Sequence, residues 1–119
     1  MNYYSFTIDL IRAAGAELQS SRHTAFTTEF KNDDPKDIVT SLDRAMGTFI
    51  TERIQSTFPE HAIYNEEAAD ISGNEYQWAI DPIDGSAAFA RGIPQYAISI
   101  GLLHKGVPLV GAVLDPSTD

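Results

Sequence analysis

The stretch YAISIGLLHKGVPLVGAVL, running from Tyr96 to Leu114, decides the fold class. Two apolar runs of strand length, Tyr96–His104 and Val107–Leu114, flank Lys105-Gly106, which reads as a hairpin turn. Further back, His61–Tyr64 and Gln77–Ile80 are shorter apolar runs bounded by polar or turn residues. They read as additional strands. Beyond the hairpin, Asp115-Pro116-Ser117-Thr118-Asp119 resembles no closing element.

Nearer the start the hydrophobic rhythm changes. Tyr3, Phe6, Leu10, Ile11, Ala14 and Leu18 recur at helical spacing and form one apolar stripe, so a first helix is expected from about Tyr3 to Ser20. Leu42, Ala45, Met46, Phe49, Ile50, Ile54 and Phe58 keep the same spacing. They mark a second helix over Ser41–Phe58, capped by Thr40 or Ser41 and stopped by Pro59. Between the helices, Thr24, Phe26, Thr28 and Phe30 share one face at period two. Thr24–Lys31 therefore reads as a short strand, followed by a polar loop at Asn32–Lys36. Helices first and strands afterwards make an α+β arrangement: two helices packed on a largely antiparallel sheet.

At 119 residues the chain suffices for one domain with a real core. Eight Lys and Arg against seventeen Asp and Glu leave a formal charge of −9, with no basic face for phosphate backbones. Nucleic-acid binding is excluded on that ground, and attachment to an anionic membrane is disfavoured for the same reason. Cysteine is absent, so disulfides, a thiolate nucleophile and a Cys zinc site are excluded. The three histidines, His23, His61 and His104, are scattered. A bound metal would therefore rest on carboxylates, which suit hard cations such as magnesium. The N-terminus lacks the unbroken apolar run of a secretory signal, and a cytoplasmic location is expected.

Three acidic groups can carry chemistry. In Asp81-Pro82-Ile83-Asp84-Gly85-Ser86, two carboxylates three residues apart follow the apolar run Trp78-Ala79-Ile80. Pro82 fixes one φ between them, and Gly85 permits a close backbone approach. Such a turn can aim Asp81 and Asp84 at one cation, and a helical turn starting near Gly85 would offer free N–H groups to a phosphate. The plainer reading is a surface turn with Asp81 as a helix cap. The second group is Asn65-Glu66-Glu67, whose adjacent carboxylates point opposite ways on an extended chain. Read alone it is equally an acidic loop. Asp43, the third, stands in the first turn of the second helix, about 20° from Ile50 on the helical wheel and so near the apolar face. A carboxylate buried there needs a partner; a plain helix-start Asp, stabilised by the helix dipole, is the alternative.

Lys36-Asp37-Ile38-Val39-Thr40-Ser41-Leu42-Asp43, then Asn65-Glu66-Glu67, then Trp78 through Pro94 (WAIDPIDGSAAFARGIP) together resemble the inositol monophosphatase family of magnesium-dependent, lithium-sensitive phosphatases. The resemblance runs from about residue 4 to the end and covers the family's N-terminal half. It implies that residues 1–119 form a single N-terminal metal-binding domain, with the family's C-terminal domain absent. It further implies that Glu66, Asp81 and the backbone carbonyl of Ile83 are ligands of a first magnesium. Asp81 would bridge to a second ion held by Asp84, and Glu67 would hold water of a third, weaker site. Manganese is the implied substitute. Asp43 and Ser86 resemble the pair that orients and activates the attacking water, and Gly85 and Ser86 supply backbone N–H groups to the phosphate. The implied substrate is a small phosphorylated polyol or sugar, most like inositol monophosphate, and the implied assembly a dimer.

The chain departs from the family pattern in places. Ser86 stands where Thr is usual and keeps the hydroxyl. Asn65 replaces a Gly, and Ala88 an Asn. Lys31 and Lys36 both compete for the role of a family lysine. The C-terminal Trp-Asp motif that completes the second metal site is absent. Two alternatives follow: a relative acting on fructose 1,6-bisphosphate, histidinol phosphate or a 3′-phosphoadenosine nucleotide, or an inactive fragment that associates through its exposed sheet.

Overall fold

The computed structural model describes residues 2–21, 28–30, 38–93 and 95–116. Asn2 caps the first helix, α1 (Tyr3–Ser21): its Oδ1 accepts the Ser5 N–H at 3.0 Å. The apolar stripe buries Leu10, Ile11, Ala14 and Leu18, while Tyr3 and Phe6 pack against the core's edge. A two-stranded ribbon follows, β1 (Thr28–Phe30) antiparallel to β2 (Ile38–Thr40). Only the end of the strand expected over Thr24–Lys31 falls on described residues. The Asn32–Lys36 loop, Asp37 and both competing lysines lie outside them. Its pairing partner, β2, sits in a segment that the period-two pattern did not mark.

Helix α2 (Ser41–Thr57) runs as expected, with Met46, Ile50 and Ile54 buried. The sheet that follows has four strands in the order β3-β4-β5-β6: β3 (Ala62–Asn65), β4 (Tyr76–Asp84), β5 (Ala97–His104) and β6 (Val107–Leu114). A short helix, α3 (Ser86–Ala90), lies between β4 and β5 and packs beside β2. The β5–β6 turn is the expected one, with Lys105 at φ 51° and Gly106 at φ 79°. Alternation along the strands sends Trp78, Ile80, Ile98, Ile100 and Leu102 into the core under the helices. On the sheet's outer face Tyr64, Leu109 and Val113 stay exposed.

The sheet is mixed. β4 pairs antiparallel with β5, and β5 with β6, but β3 pairs parallel with β4. The expected antiparallel character holds for two of the three pairings. The parallel one decides where the candidate residues Glu66 and Asp81 go, because parallel neighbours deliver their C-terminal ends to one edge of the sheet.

Seven rings bind helices to sheet at the opposite end. Trp78 is fully buried, and its indole Nε1–H donates to His61 Nδ1 at 3.0 Å. His61 stacks between Phe58 (4.6 Å) and Tyr76 (4.9 Å), and Tyr76 stacks on His104 at 4.4 Å. Phe6 meets the Phe58 and Trp78 rings edge-on, and Tyr3 closes over Phe58 and Tyr76. Because Nδ1 accepts the indole hydrogen bond, His61 is neutral with its own proton on Nε2. Burial pushes its pKa below 6.5, against the partial opposition of Glu60 and Glu75.

Candidate active site

Glu66 and Asp81 meet because of strand register. Asn65, the last residue of β3, pairs with Ile80 of β4, so the next residue of each strand emerges at the same edge. A hydrogen bond joins the Glu66 and Asp81 side chains. The chain turns at Glu66 and Glu67, so the opposed directions of an extended chain do not apply there. Glu67 is half-buried and Glu66 exposed.

Asp84 reaches the same neighbourhood through a bulge. Residues three apart on a regular strand point to opposite faces. Here Asp81 pairs with Ser99 but Asp84 with Ala97, so β4 carries one extra residue between them. The bulge resets the alternation and lets both carboxylates serve one side. Pro82, which has no N–H for the ladder, sits within that irregular step. β4 therefore continues to Asp84 and does not stop at Ile80 as the apolar run suggested.

Asp81 records the crowding. Burial, then the charges of Glu66 and Asp84, then the hydrogen bond with Glu66 and the charge of Glu67 push its carboxyl up to about 7. The available side-chain donors are all carboxylate oxygens, and negative charge is concentrated where it is least favourable. That chemistry fits a hard divalent cation. Among the described residues no three His, Cys, Asp or Glu side chains converge as a finished ligand set.

Asp43 is fully buried on α2, and Ser86 Oγ donates to its Oδ2 at 2.5 Å. A short O–H···O⁻ bond is charge-assisted and strong. The same Oγ lies 3.0 Å from the Ile83 carbonyl oxygen, so Ser86 bridges the buried carboxylate and the backbone between Asp81 and Asp84. Of the two readings of Asp43, the structure selects the buried, partnered one.

Gly85 makes this possible. Its φ is +92°, and a Cβ there would stand 2.6 Å from the Gln95 carbonyl oxygen. Any other residue would be strained and would collide with backbone. Its own carbonyl accepts the Phe89 N–H at 3.0 Å, which starts α3.

Asn65, in sequence only a departure from the family pattern, lies directly behind the Glu66–Glu67 turn. It is 5% exposed, and its Oδ1 accepts the Glu67 N–H at 3.0 Å. A readable signal existed: Asn two residues before a turn position, and an isolated glycine, Gly47, inside a strongly periodic helix.

A family model described as the inositol monophosphatase family matches residues 2–119. The inositol-1-monophosphatase of Bacillus subtilis is 39% identical over 108 residues, which is 88% of this chain and 40% of that protein. The Vibrio cholerae protein named Nus factor SuhB is 35% identical over 117 residues, or 97% of this chain and 44% of that one. In structure, the Thermotoga maritima IMPase superposes with a TM-score of 0.87 at 32% identity, covering 99% of this chain and 46% of that one. The chain thus spans less than half the length of these relatives. No helix among the described residues is long and apolar enough to cross a membrane.

Proposed function

The chain belongs to the inositol monophosphatase family, and from that premise we propose that it serves the magnesium-dependent hydrolysis of a small phosphomonoester, most like inositol monophosphate. The observation that carries this reading is the 2.5 Å bond from half-buried Ser86 to buried Asp43, joined through the Ile83 carbonyl to the loop of crowded carboxylates. Residues 1–119 act as the N-terminal, metal-binding part of the fold. The protein works in the cytoplasm on a phosphorylated polyol or sugar. A second copy associates through the apolar outer face around Tyr64, Leu109 and Val113, which are exposed.

Glu66, Asp81, Asp84 and the Ile83 carbonyl would hold magnesium or, in its place, manganese, with Glu67 acting through water. When bound, the cation neutralises phosphate charge and lowers the pKa of a coordinated water. The protein's own residues handle the proton. Ser86 Oγ already donates its one hydrogen to Asp43 Oδ2, which leaves Oγ to act as an acceptor toward the attacking water. As that water loses a proton to Ser86 Oγ, Ser86 passes its own to Asp43 Oδ2. Burial of Asp43 holds the acceptor in place and keeps bulk water from it. Backbone N–H groups at Gly85 and Ser86, at the start of α3, serve the phosphate oxygens.

The test is phosphate release from inositol 1-phosphate by a protein containing this sequence. Release is expected to require magnesium, to stop with a chelator and to return with added manganese. Turnover that persists in excess chelator contradicts the proposal.

A further inference from the structure

We infer that Asn65 is a positioning residue: its buried carboxamide sets the Glu66–Glu67 turn and ties it to helix α2 one turn beyond Asp43. The inference rests on the proposed role of those glutamates.

The two oxygens of Asn65 organise the turn that follows it. The side-chain Oδ1 accepts the Glu67 N–H at 3.0 Å, and the main-chain oxygen accepts the Ala68 N–H at 3.1 Å. Side-chain oxygens that accept from the backbone two residues on fix a turn without secondary-structure ladders. The path of the chain through Glu66 and Glu67 is thereby specified from inside the fold.

The other end of the carboxamide lies on α2. A Cβ at Gly47 would stand 2.5 Å from Asn65 Nδ2 and 3.4 Å from its Cγ and Oδ1. Glycine is poor in a helix interior, and here its missing side chain is the space the carboxamide occupies. Gly47 follows Asp43 by four residues, so the two lie on one face of α2. Both are buried. Asn65 thus connects three parts of the site: the glutamate turn, the helix carrying Asp43, and, through its register with Ile80, the strand carrying Asp81. Partners that orient metal ligands from behind typically alter affinity by 10–100-fold when removed.

The test uses the whole chain with manganese as the probe, measured by electron paramagnetic resonance, together with hydrogen exchange of the Glu67 amide. Asn65→Ala is expected to weaken manganese binding about tenfold and to unprotect the Glu67 amide. Asn65→Ser keeps an acceptor oxygen and is expected to restore most of both. Gly47→Ala, which crowds the carboxamide, is expected to weaken manganese binding in the wild-type background and to have no such effect once Asn65 is Ala. If Asn65→Ala leaves Glu67 exchange unchanged, the inference is overturned, whatever manganese does. If wild-type chain binds no manganese, the proposed metal role of the glutamates fails, and the amide measurement still decides whether Asn65 sets the turn.

Discussion

Asp81→Asn is expected to lower magnesium-dependent phosphate release by about three orders of magnitude or more at saturating magnesium, in a catalytically competent protein carrying these residues. Ser86→Ala is expected to lose about a hundredfold, the usual worth of one proton-transfer group. The order follows from position. Asp81 is the carboxylate on which Glu66, Asp84 and Glu67 all act. In the proposed mechanism Ser86 would only relay a proton from a water that a bound cation would itself make more acidic. The variant's stability separates loss of chemistry from loss of fold. A carboxyl whose folded pKa lies near 7, above its unfolded 3.8, costs the metal-free protein stability as pH rises from about 4 through 7. Asn removes that cost, so Asp81→Asn should melt no lower than wild type at pH 8 without metal. Near-wild-type turnover would contradict the assignment.

Trp78→Ala is expected to have the largest effect on stability, about 3–5 kcal/mol. The indole is fully buried among Phe6, Phe58 and His61, and its N–H satisfies His61 Nδ1. The melting temperature should fall by on the order of 15 °C, read by calorimetry. The same variant moves His61. In wild type the imidazole should titrate below 6.5 by NMR, because burial opposes its charge. The unfolded chain then binds the proton first, so the stability from neutral His61 is complete above 6.5 and is lost as pH falls toward the folded pKa. Opening a cavity beside the ring should return its midpoint toward 6.5. A Trp78→Ala protein that melts within 2–3 °C of wild type would contradict the packing account, since that corresponds to less than about 1 kcal/mol.

Much of this architecture is legible from residue spacing. The α1 stripe, α2 and the β5–β6 hairpin are local patterns, fixed by periodicity and by a two-residue turn. What escapes local reading is pairing between distant segments. The parallel register of β3 on β4 spans the irregular stretch from Glu66 to Glu75, and nothing in two short apolar runs states their relative direction. Yet that register brings Glu66 to Asp81. The Asp81–Asp84 bulge is likewise set by how β5 continues, and Pro82 read alone suggests only a turn. Asp43 could be placed near an apolar face from the helical wheel. Its partner Ser86 lies 43 residues away and came only from the family resemblance. Asn65 looked like a departure because its importance depends on Gly47, a residue whose contribution is empty space.

The central claim is that Glu66, Asp81 and Asp84 form a divalent-cation site. Manganese titration of the chain at pH 7.5, followed by electron paramagnetic resonance, tests it most directly, with Glu66→Gln, Asp81→Asn and Asp84→Asn in parallel. The account predicts oxygen-only coordination in the wild type and at least about tenfold weaker binding in each variant, as expected when a hard cation loses one of its carboxylates. Binding that is absent in wild type, or unchanged across all three variants, would contradict it.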